Sequence, residues 1–167
     1  MLWAIYIVGF SLLFLKFSWG IFKLIKEVKF SEKIKQDHYQ FILKQNKFTP
    51  YSFWNAIFLN KSDFLEGKID YKIILHEKAH VNQKHSIDVI FIEIMLCVFW
   101  FNPAFYFYRK AIVTNHEFLA DEAVLCQNND IISYQKLILD ELISVKILFT
   151  HPFNLHNTKK RIVMMTN

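Results

Sequence analysis

The chain has 167 residues, of which 53% are hydrophobic and 17% aromatic, and its formal net charge is +5. This length favours one domain over two, and the positive mean hydropathy is unusual for a soluble protein, so we expect membrane association. Two widely separated cysteines argue against a disulfide framework or a thiolate metal site. The lysines are spread along the chain without a groove-reading motif, which argues against direct nucleic-acid binding.

Residues 2–22 predict a membrane-spanning helix. The segment LWAIYIVGFSLLFLKFSWGIF carries one charge, Lys16, and is long enough to cross a bilayer. It lacks the basic start and the small-residue cleavage site of a signal peptide, so we expect an uncleaved anchor over residues 1–24, with a buried core helix as the alternative. Five lysines follow between Lys23 and Lys35 and no charge precedes the segment, which predicts that the chain beyond the anchor is cytoplasmic.

The next stretch, from about residue 30 to 67, is polar and rich in aromatic residues. It is interrupted by Pro50, and a short strand pair and an irregular connection both fit its composition. From residue 69 to 85 the apolar spacing changes to that of an amphipathic helix. This predicted helix carries the pentapeptide HEKAH, residues 76–80.

A second apolar run covers residues 87–108. It contains two carboxylates, which argue against a span that is fully exposed to lipid. It also contains Asn102 and Pro103, and a proline removes one backbone donor and restrains the residue before it. We therefore expect a break near Asn102. Two more helices are predicted further along the chain, at about residues 112–126 and 131–147.

HEKAH has the spacing of a catalytic zinc site. Residues i and i+4 of a helix lie one above the other, about 5–6 Å apart, so His76 and His80 can direct two imidazoles at one ion. Glu77 is turned away from that face but can reach a water on the metal, as a general base for peptide hydrolysis must. Two histidines that merely share a helix are the alternative, because so short a pattern also occurs by chance. A third ligand would decide between them.

The third ligand is expected downstream. The metzincin spacing would require a histidine at Ser86, and His85 is one position short, so we expect His85 to cap the helix or to lie on the surface. In NHEFLADEAVL, Glu117 and Asp121 share the i, i+4 relation. One of these carboxylates can bind a metal while the other hydrogen-bonds a ligand histidine and fixes its tautomer.

Four motifs occur in an order that resembles a known family. HEKAH, FWFNP, HEFLADEAVL and KKRIVMM look like the membrane-embedded metallopeptidases of the BlaR/MecR type, which are antirepressor sensor proteases of bacteria. The resemblance runs from about residue 48 to the C-terminus and, more weakly, through the apolar N-terminal segment. It implies a mainly α, membrane-anchored, gluzincin-like metallopeptidase domain over residues 25–167, with a small β-hairpin before the HEKAH helix as an option.

The resemblance also implies residue roles. His116 receives none, because it lies about a quarter-turn from Glu117 on a helix. The implied zinc ligands are His76, His80 and Glu117, the general base is Glu77, and the residue that orients a ligand histidine is Asp121.

Chain length constrains the path between these residues. Only 36 residues separate His80 from Glu117, too few for two crossings of a bilayer at about 20 residues each. If Glu117 is a ligand, the run at about 87–108 must therefore enter the membrane and bend back, or pack as a buried hairpin.

Together these expectations describe a zinc-dependent membrane endopeptidase at the cytoplasmic face of a bacterial inner membrane. By resemblance its substrate is a protein, either a transcriptional repressor or the enzyme itself, and membrane lipid is its other partner. The alternative is an inactive signalling or scaffold module that retains the zinc site. The presence of Glu77 argues against that alternative, because a structural site has no use for a base there. Zinc is inferred from the ligand types, which other divalent metals also accept.

Overall fold

The computed structural model describes residues 2–36, 38–45, 48–127, 130–146 and 152–166. Within them the fold is mainly helical with one small sheet, as the sequence predicts. The elements follow in the order α1 (Leu2–Phe30), β1 (Glu32–Lys35), β2 (Gln40–Lys44), β3 (Tyr51–Phe53), β4 (Ala56–Asn60), α2 (Lys61–Leu65), α3 (Tyr71–Asn82), α4 (His85–Val98), α5 (Pro103–Gln127), α6 (Ile131–Lys146) and α7 (Pro152–Met165).

Helix α1 contains the predicted anchor and continues to Phe30. It has 29 residues, and at about 1.5 Å per residue it exceeds the hydrocarbon thickness of a bilayer, roughly 30 Å. None of its residues is buried, although most of them are apolar. By length and composition α1 is long and apolar enough to cross a membrane.

The segment before the HEKAH helix forms a four-stranded sheet rather than a single hairpin. The strand order is β1-β2-β4-β3, in which β2 and β4 are parallel and the two outer pairs are antiparallel. Every residue of β4 is buried, because one face of the sheet packs on α3 and the other packs on aromatic side chains and on Val28 of α1. Full burial of one large apolar side chain such as Phe58 contributes about 1.5–3 kcal/mol. Strand β3 is left at the edge of the sheet.

Local backbone and side-chain features explain where helix α3 begins and ends. The Asp70 side chain caps its N-terminus by accepting a hydrogen bond of 2.8 Å from the backbone N–H of Lys72. Lys84 follows the helix in the left-handed conformation, with φ +57°, and this residue turns the chain directly into α4. Helix α3 lies between the sheet and α5.

Helices α4 and α5 form an antiparallel hairpin, and the break expected at Asn102-Pro103 falls in the turn between them. Pro103 is the first residue of α5, where its missing N–H costs nothing, and Asn102 Oδ1 accepts from the N–H of Ala104 at 3.0 Å. The tip of the hairpin packs on the first turns of α1, where Tyr6 Oη donates to the Val98 carbonyl at 3.0 Å. The return helix α5 brings Glu117 back beside α3.

The hairpin carries large apolar side chains on its outer face. Phe91, on α4, is 60% exposed, and Phe107, on α5, is 73% exposed. Of these two helices, α4 packs beside the uncovered α1. A separate cluster of buried residues lies among α3, α5, α6 and α7. Its members are Leu75, Val124, Tyr134, Ile138 and Met165.

Candidate metal centre

The structure brings His76, His80 and Glu117 together at one point. One donor atom of each lies within 4.8 Å of the other two. The two Nε2 atoms are 3.1 Å apart, and the Glu117 carboxylate oxygens lie 3.6 Å from His76 Nε2 and 3.7 Å from His80 Nε2. Bonds of about 2.0–2.1 Å in a tetrahedral site separate neighbouring ligand atoms by about 3.4 Å. The three donors therefore have the spacing of one face of such a site.

The surroundings of His76 fix its tautomer. Its Nδ1 lies 2.9 Å from Tyr134 Oη and 3.3 Å from Asp121 Oδ1, and the Tyr134 hydroxyl in turn donates to Asp121 Oδ1 at 2.8 Å. Because these oxygens accept the Nδ1 proton, Nε2, which faces His80 and Glu117, is the nitrogen that would bind a metal once it has lost its own proton. Burial opposes the charged form of this imidazole, but hydrogen bonds to Asp121 and Glu117 outweigh it and raise the pKa of His76 to about 9.

His80 has a different neighbour. Its Nδ1 lies 2.7 Å from Nδ1 of His85, which is buried at the start of α4. The expectation that His85 caps a helix or lies on the surface is therefore wrong: the sharp turn at Lys84 directs its ring inward. His116 stacks on His85 with ring centroids 3.9 Å apart and contacts Asp88 through Nε2 at 3.0 Å. Burial and the nearby charge of His76 lower the pKa of His80 to about 3.

These contacts meet the requirements of a divalent cation. If the protons on both ligand rings lie on Nδ1, two Nε2 lone pairs face each other at 3.1 Å beside a carboxylate. A cation between them would stabilise this arrangement, which is otherwise repulsive. Two imidazoles and a carboxylate suit zinc, and they leave a fourth position for water or substrate.

Arg161 of α7 joins the site to the C-terminal region. Its Nη1 lies 2.9 Å from Glu117 Oε2, while Nε and Nη2 donate to the two oxygens of Asp121 at 2.8 and 2.6 Å. For both carboxylates the effect of burial is outweighed by bonds to His76 and by the Arg161 charge. The pKa of Glu117 falls to about 2, and that of Asp121 also falls. Arg161 thus holds both carboxylates ionised.

Glu77 is buried and lines the same cavity as the three donors. Burial raises its pKa, although a hydrogen bond from Ser52 of β3 and the charge of His76 act in the opposite direction. The cavity has a volume of about 380 Å³. Edge strand β3 forms one wall, and α5 and α6 form the opposite wall. The carboxylate expected to act as a base therefore faces an open cleft.

Sequence reasoning missed Tyr134, Arg161 and the inward position of His85. Arg161 lies in KKRIVMM, so the motif contained a signal, but its single guanidinium could not be matched to Asp121, from which it is separated by 40 positions in the sequence. Tyr134 belongs to no recognised motif. Asp121, which sequence reasoning did name, lies against His76, with Oδ1 3.3 Å from Nδ1.

Fold and site together define a membrane-associated member of a peptidase family. The chain belongs to the BlaR1 peptidase M56 family, whose model matches residues 1–165. A relative in this family is the regulatory protein BlaR1 of Staphylococcus aureus, which is 29% identical over 117 residues. That match covers 64% of this chain and 20% of the relative, so the chain spans about a fifth of the relative's length. The resemblance seen in the motifs is confirmed.

Proposed function

We propose that this protein is a zinc-dependent endopeptidase that acts at the cytoplasmic face of a bacterial inner membrane. The observation that supports it most strongly is the convergence of His76, His80 and Glu117 on one point beside the buried Glu77, at the wall of an open cavity. A bound zinc ion would supply Lewis-acid polarisation of the scissile carbonyl. Membership of a peptidase family agrees with this chemistry.

The chain's own residues have distinct tasks in this proposal. Glu77 takes a proton from the attacking water and passes it to the leaving amine. Asp121 and Tyr134 hold His76 in the tautomer that presents Nε2, and Arg161 holds the Glu117 carboxylate in place. These contacts orient the groups before the substrate arrives, and such preorganisation lowers the cost of reaching the transition state.

The position of β3 supports a polypeptide substrate. Among the described residues this strand pairs with β4 alone, and its three residues line the cavity that contains Glu77. An extended chain can pair with an exposed strand edge through backbone hydrogen bonds, whatever its side chains. Such pairing would place an internal peptide bond in the cleft, which favours endopeptidase over terminal-residue activity.

The membrane location rests on α1 and on the apolar hairpin. The lysines that follow the anchor favour a cytoplasmic site, and the exposed side chains of α4 and α5 suit a hairpin that lies beside α1 in lipid. We extend the proposal to a role in signalling, with a repressor or the enzyme itself as substrate, because the chain is similar to a regulatory protein. An inactive signalling or scaffold module with a retained zinc site is the second candidate.

Glu77→Gln separates the two candidates. Detergent-purified protein would be incubated with fluorescein-labelled casein, its own integrity followed by mass spectrometry, and its zinc measured by atomic emission. We expect Glu77→Gln to lower cleavage at least 100-fold with about one zinc per chain retained, because removal of a general base costs roughly 10²–10⁴-fold. Glu122→Gln, an exposed change on α5, is the control. Zinc-loaded wild-type protein that cleaves neither casein nor itself would favour the inactive module.

A further inference from the structure

A second cavity adjoins the metal centre and has no part in the mechanism above. Its volume is about 380 Å³, and it extends the cavity at the metal site towards α7. The two cavities share six lining residues: Thr49, Val113, Glu117, Ile138, Glu141 and Arg161. Leu142, Asn157 and Thr158 line the second cavity but not the first. A substrate whose scissile bond lies beside Glu77 would therefore have a neighbouring side chain within reach of this second cavity.

Two acceptor side chains in this cavity receive no hydrogen bond within the described residues. The half-buried side chain of Glu141, on α6, makes no hydrogen bond or ion pair there, and burial raises its pKa. Asn157, on α7, lines the same cavity and has a buried Oδ1 without a hydrogen-bond partner. Buried acceptors are nearly always paired in folded proteins, so the unpaired Asn157 Oδ1 in a cavity that also contains an unpaired carboxylate indicates a ligand that donates hydrogen bonds.

The remaining walls determine the shape of that ligand. Val113, Ile138 and Leu142 supply aliphatic surface in the same cavity as Glu141. Such a surface suits a methylene chain with a charged end, because long basic side chains bury their stems against apolar groups and extend the cationic head to a polar partner.

The charge of Arg161 does not cancel that of Glu141. Arg161 also lines the cavity, but it is already held by Asp121 and Glu117 at 2.6–2.9 Å. Among the described residues that line this cavity, Glu117 and Glu141 are the carboxylates and Arg161 is the cation. Glu141 therefore remains the group whose charge an incoming cation would neutralise.

We propose that Glu141 and Asn157 form a subsite for the side chain of a lysine or arginine next to the scissile bond of the substrate. This inference rests on the proposed peptidase function and specifies its substrate class. The carboxylate would receive the charged head, the Asn157 oxygen would accept one further hydrogen bond, and the aliphatic wall would cover the stem. Hydrogen bonds to charged groups contribute about 1.5–3 kcal/mol, so we expect roughly tenfold or greater selectivity over an uncharged side chain.

Two synthetic peptide libraries test the subsite. In one library each peptide carries a single lysine among randomised apolar and small residues, and in the other norleucine replaces that lysine. We expect zinc-loaded wild-type protein to cleave next to lysine at least tenfold faster. Glu141→Gln should abolish the difference between the two rates through loss of the preference for lysine, with zinc content unchanged. Asp140→Asn, an exposed change on the same helix, should leave the wild-type selectivity intact.

A binding measurement keeps this inference separate from the proposed function. Lysine hydroxamate and norleucine hydroxamate are matched zinc-binding probes that differ in the charged head, and calorimetry gives their affinities without any cleavage. Tighter binding of the lysine probe to wild-type protein, lost in Glu141→Gln, supports the subsite even if no peptide is cleaved. Cleavage without preference for lysine, or equal affinities for the two probes, overturns the subsite and leaves the peptidase proposal standing.

Discussion

His76 and His80 lie one turn apart on the same helix, yet their surroundings differ. His76 contacts a carboxylate and a phenol that Arg161 of α7 holds in place. His80 contacts the imidazole of His85, behind which His116 is stacked. Two histidines that lie on the same face of a helix therefore do not necessarily receive equal support from their neighbours. An anionic partner strengthens a ligand histidine more than a neutral partner does, so metal affinity should depend mainly on the His76 side.

The largest effect is expected from Arg161→Met. This change keeps an unbranched apolar stem but leaves the buried Asp121 and the partly buried Glu117 without their cation, and breaking such a pair costs roughly 3 kcal/mol. We expect the free energy of unfolding of the metal-free protein to fall by about that amount, measured by urea denaturation in detergent. Lys160→Met, an exposed neighbour on α7, is the control. Equal stability of the two variants would contradict the bridging role of Arg161.

Asp121→Asn should act next most strongly and mainly on the metal. The amide cannot supply the negative charge that polarises His76 and pairs with Arg161. Loss of such an orienting partner typically costs 10–100-fold in metal affinity, and we expect about 30-fold. Competition with a zinc chelator measures it, and the matched control is Glu122→Gln. Unchanged affinity would show that Tyr134 alone orients His76.

His85→Phe tests the other side of the comparison. Phenylalanine fills similar space but offers no acceptor to Nδ1 of His80, so we expect metal affinity to fall by about tenfold. His85→Asp should restore the affinity, because it gives His80 the kind of partner that His76 already has. If the loss exceeds that of Asp121→Asn in the same chelator assay, the ranking of the two sides is wrong.

The smallest effect is expected from Tyr134→Phe. The hydroxyl bridges His76 Nδ1 and Asp121 Oδ1, but these two atoms already lie 3.3 Å apart and can bond directly. The hydrogen bond from this hydroxyl to the ionised Asp121 contributes about 1.5 kcal/mol to stability, so the urea midpoint should shift slightly while zinc remains bound. Loss of zinc from this variant would mean that the phenol, rather than the carboxylate, fixes the tautomer of His76.

Some residues of the candidate site could be predicted from the sequence, and others could not. His76, Glu77 and His80 follow from local periodicity, because a helix converts a spacing of four residues into one shared face. Glu117 and Asp121 could be named from a second motif of the same periodicity. The position of His85 was predicted wrongly because the direction of its side chain depends on the left-handed turn at Lys84. The residues on either side of Lys84 give no signal of that turn.

The sequence by itself determined the apolar N-terminal helix, the HEKAH helix, the break before Pro103 and the types of the candidate ligands, since each depends on residues within a few turns of one another. Only the tertiary structure decided that two hairpins merge into one sheet, that Arg161 of α7 contacts Glu117, and that Glu141 and Asn157 line one cavity. Those contacts join segments that are distant along the chain. They form when apolar faces of separate helices and strands pack together, and no local pattern encodes which faces will meet.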